Sequence, residues 1–270
     1  MSQRNKKTKV LLTAIFVSLI AAVSFFLLYD KADAPDQNSS TPTPTTQVNP
    51  SKQQSGKFKT YTGQEFSDLY NSFNYPNTSL INEHSLITGE EAADSKIRQL
   101  AVSRGYKLRS APVANNFVEV QKTMLLQERA SKPWLDLQKK AKEENIRLSL
   151  FDAYRSAEDQ RKIFLSRLSG ISVSDIAVGK ADVAVNKVLE TTALPGYSRH
   201  HTGYTVDIKC DSQPAVKFEN SSCFVWLSKD NYLNAKKHGW IPSYPEGAGN
   251  QGPLPESWEY VWVGANTLQE

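Results

Sequence analysis

The stretch YSRHHTGYTVDI, residues 197–208, holds two of the chain's four histidines side by side and places an aspartate six residues after the second. The others are His84 and His238. Its second half, GYTVDIKC (203–210), alternates apolar and polar residues and predicts a strand with Asp207 on it. His200 and Asp207 offer an imidazole nitrogen and a carboxylate oxygen, two donors that zinc accepts. A catalytic zinc site needs three protein ligands and one open position. Gly203 lets the backbone pass where a side chain would obstruct. The stretch therefore predicts part of a metal site and leaves its third ligand to be found elsewhere.

Outward from this stretch, helices come first and are followed by strands mixed with helices. Residues 90–106 read as a helix with Ile97, Leu100 and Ala101 on one face and Gly105 at its end. A second helix is expected over 131–146, capped by Ser131 with Pro133 in its first turn. Residues 147–154 alternate as a strand, and 156–168 read as a helix opened by Ser156 with acids in its first turn. Residues 173–190 read as helical despite Gly179, and 224–239 as a helix ending at Gly239. Residues 240–244 and 258–263 read as short strands. In the second of these, Trp258, Tyr260 and Trp262 share one face as core packing, and Glu259 points to the other. The pattern predicts an α+β fold, a small antiparallel sheet with helices packed around it.

The chain carries 32 basic and 28 acidic residues. Four of the basic ones, Arg4, Lys6, Lys7 and Lys9, lie in residues 1–9, which contain no acid. The remainder is balanced in charge, which argues against a nucleic-acid partner. Residues 10–29 form a charge-free run of about the length that crosses a bilayer. They are read as a transmembrane anchor, with a cleaved signal peptide as the alternative. The basic flank predicts that everything after it lies on the extracytoplasmic side of the cell membrane. Residues 30–57, rich in Pro, Ser, Thr and Gln, are expected to be a disordered stalk, and the folded domain to span 58–270. The two cysteines, Cys210 and Cys223, are expected to form a disulfide in an exported protein; two buried thiols are the alternative.

The motifs add up to a resemblance. SRHHTGYTVD (198–207) resembles the Ser-x-His-x-x-Gly-x-Ala-x-Asp signature of the VanY-like, LAS-type zinc D-Ala-D-Ala carboxypeptidases and dipeptidases. Ser198, His200, Gly203 and Asp207 match it, and Thr205 stands where the family usually has Ala. FDAYRSAEDQ (151–160) resembles that family's Tyr-Arg-Ser-x-x-x-Gln segment through Tyr154, Arg155, Ser156 and Gln160. HGWIPSYPEG (238–247) is similar in order and spacing, and PESWEYVWVG (255–264) looks like the Glu-Pro-Trp-His block. There the chain departs from the pattern, because the ligand histidine is replaced by Glu259.

The resemblance implies one zinc ion held by His200, Asp207 and Glu259, with Glu256 as general base. Arg155 would either stabilise developing charge or grip the substrate's terminal carboxylate, while Ser156, Gln160 and Ser198 would bind the substrate backbone. The implied substrate is the C-terminal D-Ala of peptidoglycan stem peptides. A carboxylate in place of the histidine makes the site more anionic and less able to acidify a bound water. That leads to a slower enzyme, a preference for another divalent metal such as manganese, or an inactive family member that binds cell-wall peptides.

Overall fold

The computed structural model describes residues 56–81 and 84–270. The basic flank, the apolar run and nearly all of the expected stalk lie outside the described residues. Among the described residues, no helix is long and apolar enough to cross a membrane. The two ends of the described region meet. Phe58 bridges to Gln269, and the Glu270 N–H donates to Lys57 O at 2.8 Å, so the two ends of the domain lie side by side.

The elements run α1 (Gly63–Ser72), β1 (Thr78–Leu80), α2 (Glu91–Ser103), β2 (Ser110–Pro112), β3 (Phe117–Gln121), β4 (Met124–Gln127), α3 (Glu128–Glu143), β5 (Leu148–Asp152), α4 (Ala157–Arg167), α5 (Val173–Ala177), α6 (Asp182–Leu189), β6 (Thr205–Cys210), α7 (Ser222–Lys236), β7 (Trp240–Tyr244) and β8 (Glu256–Trp262). A 3-10 turn, Arg199–Thr202, precedes β6. The central sheet is antiparallel with strand order β5-β6-β8-β7, and β1-β2 and β3-β4 form two separate two-stranded antiparallel pairs, the first closed across α2 and the second a hairpin. The α+β expectation holds.

Local chemistry explains most boundaries. The Ser156 hydroxyl accepts the Asp159 N–H at 3.1 Å and caps α4 as expected. Gly179, at φ +78°, splits the 173–190 helix into α5 and α6. Helix α3 starts three residues before its expected cap. Strand β4 runs straight into it, and Ser131, inside the first turns, donates its hydroxyl to Glu128 O at 2.7 Å instead of capping. Pro133 thus sits in the second turn. Helix α7 is interrupted at Lys229–Tyr232, where Asp230 and Asn231 adopt left-handed angles that their short polar side chains tolerate. The break is bound by the N-terminal segment, since Asn231 exchanges hydrogen bonds with both backbone groups of Tyr61.

Two hydrophobic cores result. One lies behind the sheet, built by Trp134, Leu137, Val206, Ile208, Leu227, Trp240 and Tyr260 with α1, α3 and α7. The other joins α2, α4, α5 and α6 through Ile97, Phe164, Ile176, Val185 and Leu189. Cys210 and Cys223 form a disulfide that ties the end of β6 to α7. The face of β6 opposite Val206 and Ile208 looks into a cleft along the seam between these cores.

Candidate metal centre and substrate cleft

Strand register builds the site. Asp207 on β6 is the direct partner of Asp152 on β5 and of Glu259 on β8, so three carboxylates stand in one row across the sheet. Like charges placed this way repel, and each end of the row has its own answer. Asp152 is taken by Arg155, whose Nε donates to Asp152 Oδ2 at 2.9 Å and whose Nη2 reaches the same oxygen. Arg155 Nη1 donates to Gln160 Oε1 at 2.6 Å, and Gln160 in turn donates to Ala193 O. The guanidinium is thereby fixed, 3.8 Å from Asp207 Oδ2.

At the other end stands His200. Its Nδ1–H donates to Ala153 O at 2.6 Å, which sets the ring so that Nε2 faces the carboxylates. Nε2 lies 3.4 Å from Asp207 Oδ1 and 3.3 Å from Glu259 Oε2. All three side chains are buried. His200 Nε2, Asp207 Oδ1 and Glu259 Oε1 have no hydrogen-bond partner. Burial alone would keep the imidazole neutral, but the charges of Asp207 and Glu259 outweigh it and draw the ring well above its ordinary pKa.

The spacings of His200 Nε2 from Asp207 Oδ1 and from Glu259 Oε2 suit a zinc ion. Tetrahedral ligands at about 2.0–2.1 Å from a metal stand about 3.3–3.4 Å apart, the two spacings found here. One nitrogen and two carboxylate oxygens suit zinc, and the oxygen-rich set suits manganese too. Asp207, Glu256 and Glu259 also offer oxygens that all lie within 4.8 Å of one another.

Glu256 and Glu259 are three residues apart, a spacing that would put them on opposite faces of a regular strand. A register shift resolves this. Between Pro242↔Tyr260 and Tyr244↔Glu256, β8 spends four residues against two of β7, and the resulting bulge turns both carboxylates into the cleft. Burial first, then the charges of Glu259 and Asp207, push the Glu256 carboxyl well above the usual range. It is a half-buried acid beside the ligand set, positioned to exchange a proton there.

The cleft is about 250 Å³ and is lined by Arg155, Gln160, Ser198, His200, Asp207, Glu256 and Glu259, with Phe151, Trp258 and Arg167 on its walls. Seven of the sequence-derived residues therefore meet in one place. Ser156 is not among the lining residues; its hydroxyl is engaged with Asp159 as the α4 cap. Trp258 is half-buried on the cleft wall, on the same side as Glu259, whereas Tyr260 packs in the core as expected. The strand alternation failed there because of the bulge. Gly203 also has a different reason. At φ +74° it ends the 3-10 turn, and a Cβ on it would come 2.8 Å from the Phe117 ring. His201 is a brace, with Nε2 accepting the Gly196 N–H at 3.0 Å and Nδ1–H donating to Arg155 O at 2.8 Å. Burial pushes its pKa down to about 4, so it stays neutral. His238 sits beyond the end of α7, away from the cleft. Two residues escaped the sequence reading. Asp152 had a signal, an acid three residues before Arg155. Ser243, behind Glu259, had none.

The family model described as "VanY: D-alanyl-D-alanine carboxypeptidase" matches residues 123–265, more than half of the chain. The chain belongs to this family. No curated protein matches the chain. Among solved structures, a complex of VanYB with D-Alanine-D-Alanine is similar at 20% identity over 58% of this chain and 83% of that one, with a TM-score of 0.44. The LdcB LD-carboxypeptidase is similar at 18% identity over 79% and 86%, with a TM-score of 0.45. DacB from Streptococcus pneumoniae is similar at 19% identity over 60% and 83%, with a TM-score of 0.39.

Proposed function

We propose that this family member is a metal-dependent carboxypeptidase that hydrolyses the C-terminal D-Ala from peptidoglycan stem peptides. The observation that carries the reading is the meeting of three buried side chains, with His200 Nε2 3.4 Å from Asp207 Oδ1 and 3.3 Å from Glu259 Oε2, and with Glu256 beside them. These three residues would hold the ion, and when bound it supplies Lewis acidity and a more acidic water. Glu256 accepts a proton from the attacking water as the new C–O bond forms. It then delivers that proton to the amine nitrogen as the C–N bond breaks. Arg155, held by Asp152 and Gln160, presents fixed positive charge to the oxygen on which negative charge develops. Its charge is already matched by Asp152, so charge stabilisation suits it better than capture of a free carboxylate. Ser198 lines the cleft, where its hydroxyl accepts the His200 N–H at 3.3 Å, and would bind the peptide backbone.

We propose further that residues 10–29 anchor the chain in the cytoplasmic membrane and that the domain works outside it, within reach of the wall. Fractionation and protease accessibility of intact cells test this placement. The test of the activity is to incubate purified protein with stem pentapeptide and tetrapeptide, with zinc, manganese or a chelator, and to read products by mass. Metal-dependent loss of one terminal alanine supports the reading and reports the preferred bond. Peptide binding without product under every metal would replace it with that of a cell-wall peptide binder.

A further inference from the structure

Arg199 is only 1% exposed, and among the described residues no carboxylate approaches its guanidinium within ion-pair distance. A buried cation without a counter-charge is costly, so its surroundings need a reason. The guanidinium lies between two rings, 3.8 Å from the Tyr70 centroid and 3.9 Å from that of Tyr244. Those faces favour a cation but carry no charge. Its Nη1 donates to the backbone oxygen of Ser243 and, at 3.3 Å, to Ser243 Oγ. Ser243 is completely buried. Having accepted from Arg199, its hydroxyl keeps a proton to give, and Ser243 and Arg199 are among the groups that hold the buried Glu259 carboxyl below its ordinary pKa. Ser243 sits inside the β7–β8 register shift, opposite the bulge that carries Glu259. Arg199 and Ser243 thus stand across the strand pair from the atypical ligand.

We infer that Arg199 and Ser243 are positioning residues for Glu259: the buried guanidinium supplies its counter-charge, and the serine hydroxyl holds the carboxylate so that its other oxygen faces the metal position. The inference rests on the metal-centre reading above and explains how that centre accommodates a glutamate. A carboxylate adds a negative charge to a pocket that already holds Asp207 and Glu256, and it can rotate away from them. The relay opposes both effects. It also couples the ligands, because Arg199 and His200 are adjacent in one 3-10 turn. Displacing the turn moves one ligand directly and the support of the other.

The test uses the full chain and measures zinc affinity by chelator competition and the absorption spectrum of the cobalt(II) form. Both are read without turnover. Ser243→Ala should weaken zinc binding about 10–100-fold, the usual effect of losing a group that orients a ligand, and should change the cobalt spectrum. In a Glu259→Ala background the same serine change should cost nothing further, because the group it positions is gone. Arg199→Lys, which keeps the charge and loses the fork, should give a smaller loss and carries the test if Ser243→Ala does not fold. Melting of the metal-free variants separates misfolding from loss of affinity. Wild-type affinity in Ser243→Ala, or an equal loss in both backgrounds, would overturn the relay. A wild-type chain that binds neither metal would instead overturn the metal centre itself.

Discussion

Replacing Glu256 by Gln should stabilise the metal-free protein while removing its activity. Glu256 shares the pocket with Asp207 and Glu259, all within 4.8 Å. Two unit charges at that distance repel by about 3.5 kcal/mol at an effective dielectric of 20. Burial and these two neighbours are why its pKa is raised. The folded chain therefore keeps a proton that the unfolded chain releases above the ordinary Glu range. A raised pKa contributes stability that is fully present below the unfolded value and is lost as pH rises through the folded one. The loss is limited to about 1.36 kcal/mol per pH unit for one group. For a folded region of this size the unfolding entropy is about 0.45 kcal/mol/K, so wild type should fall behind Glu256→Gln by at most about 3 °C per pH unit. The assay is thermal melting in chelator from pH 4 to 8, read beside stem-peptide hydrolysis with metal. The curves should meet at the acid end, where Glu256 is protonated in both states, and diverge upward in pH. Parallel curves would refute the crowded-carboxylate account, and full activity in the variant would refute the role of Glu256 as base.

Zinc at one hundred times its dissociation constant should add about 2.7 kcal/mol, seen as a melting increase of about 6 °C that a chelator or His200→Ala abolishes. Asp94 has its pKa set by burial, which raises it, and more strongly by hydrogen bonds from Thr88, Ile87 and Gly89, which together bring it below the ordinary value. Its contribution is present above the ordinary Asp range and lost as pH falls through the depressed one. Asp94→Asn should therefore cost about 1–3 kcal/mol at neutral pH and little in acid, by denaturant melts at both. Removing the Cys210–Cys223 disulfide by double alanine substitution should cost roughly 3 kcal/mol, measured by the same melts, with a larger rise in proteolysis around α7 than around α4.

The motif residues were legible because their spacing follows from local geometry. His200 and Asp207 sit on a turn and the strand that follows it, and Ser156 announced the start of α4. What escaped the sequence depends on pairings made far along the chain. The bulge that brings Glu256 and Glu259 to one face is a property of β8 against β7, and it also moved Trp258 from the core to the cleft wall. The role of Asp152 appears only when β5 is registered against β6. Gly203 looked like room for a metal, but its neighbours are Phe117 and Gln127, contributed by a distant hairpin. Ser131 imitated a helix cap because nothing local shows that β4 runs without a loop into α3.

The ring faces around Arg199 bear on how this domain can be divided. Tyr70 comes from α1, and Arg109, which lies 5.0 Å over the same ring, precedes β2. Both lie before residue 123, where the match to the family model begins. The stretch that carries the shared motifs is thus smaller than the stretch that folds around them. A chain trimmed to 123–265 would retain every ligand and lose one wall of the Arg199 stack. It would also lose the N-terminal segment that pairs with Leu268 and Gln269. Such a fragment would be a complete inventory of reactive groups in an unfinished container.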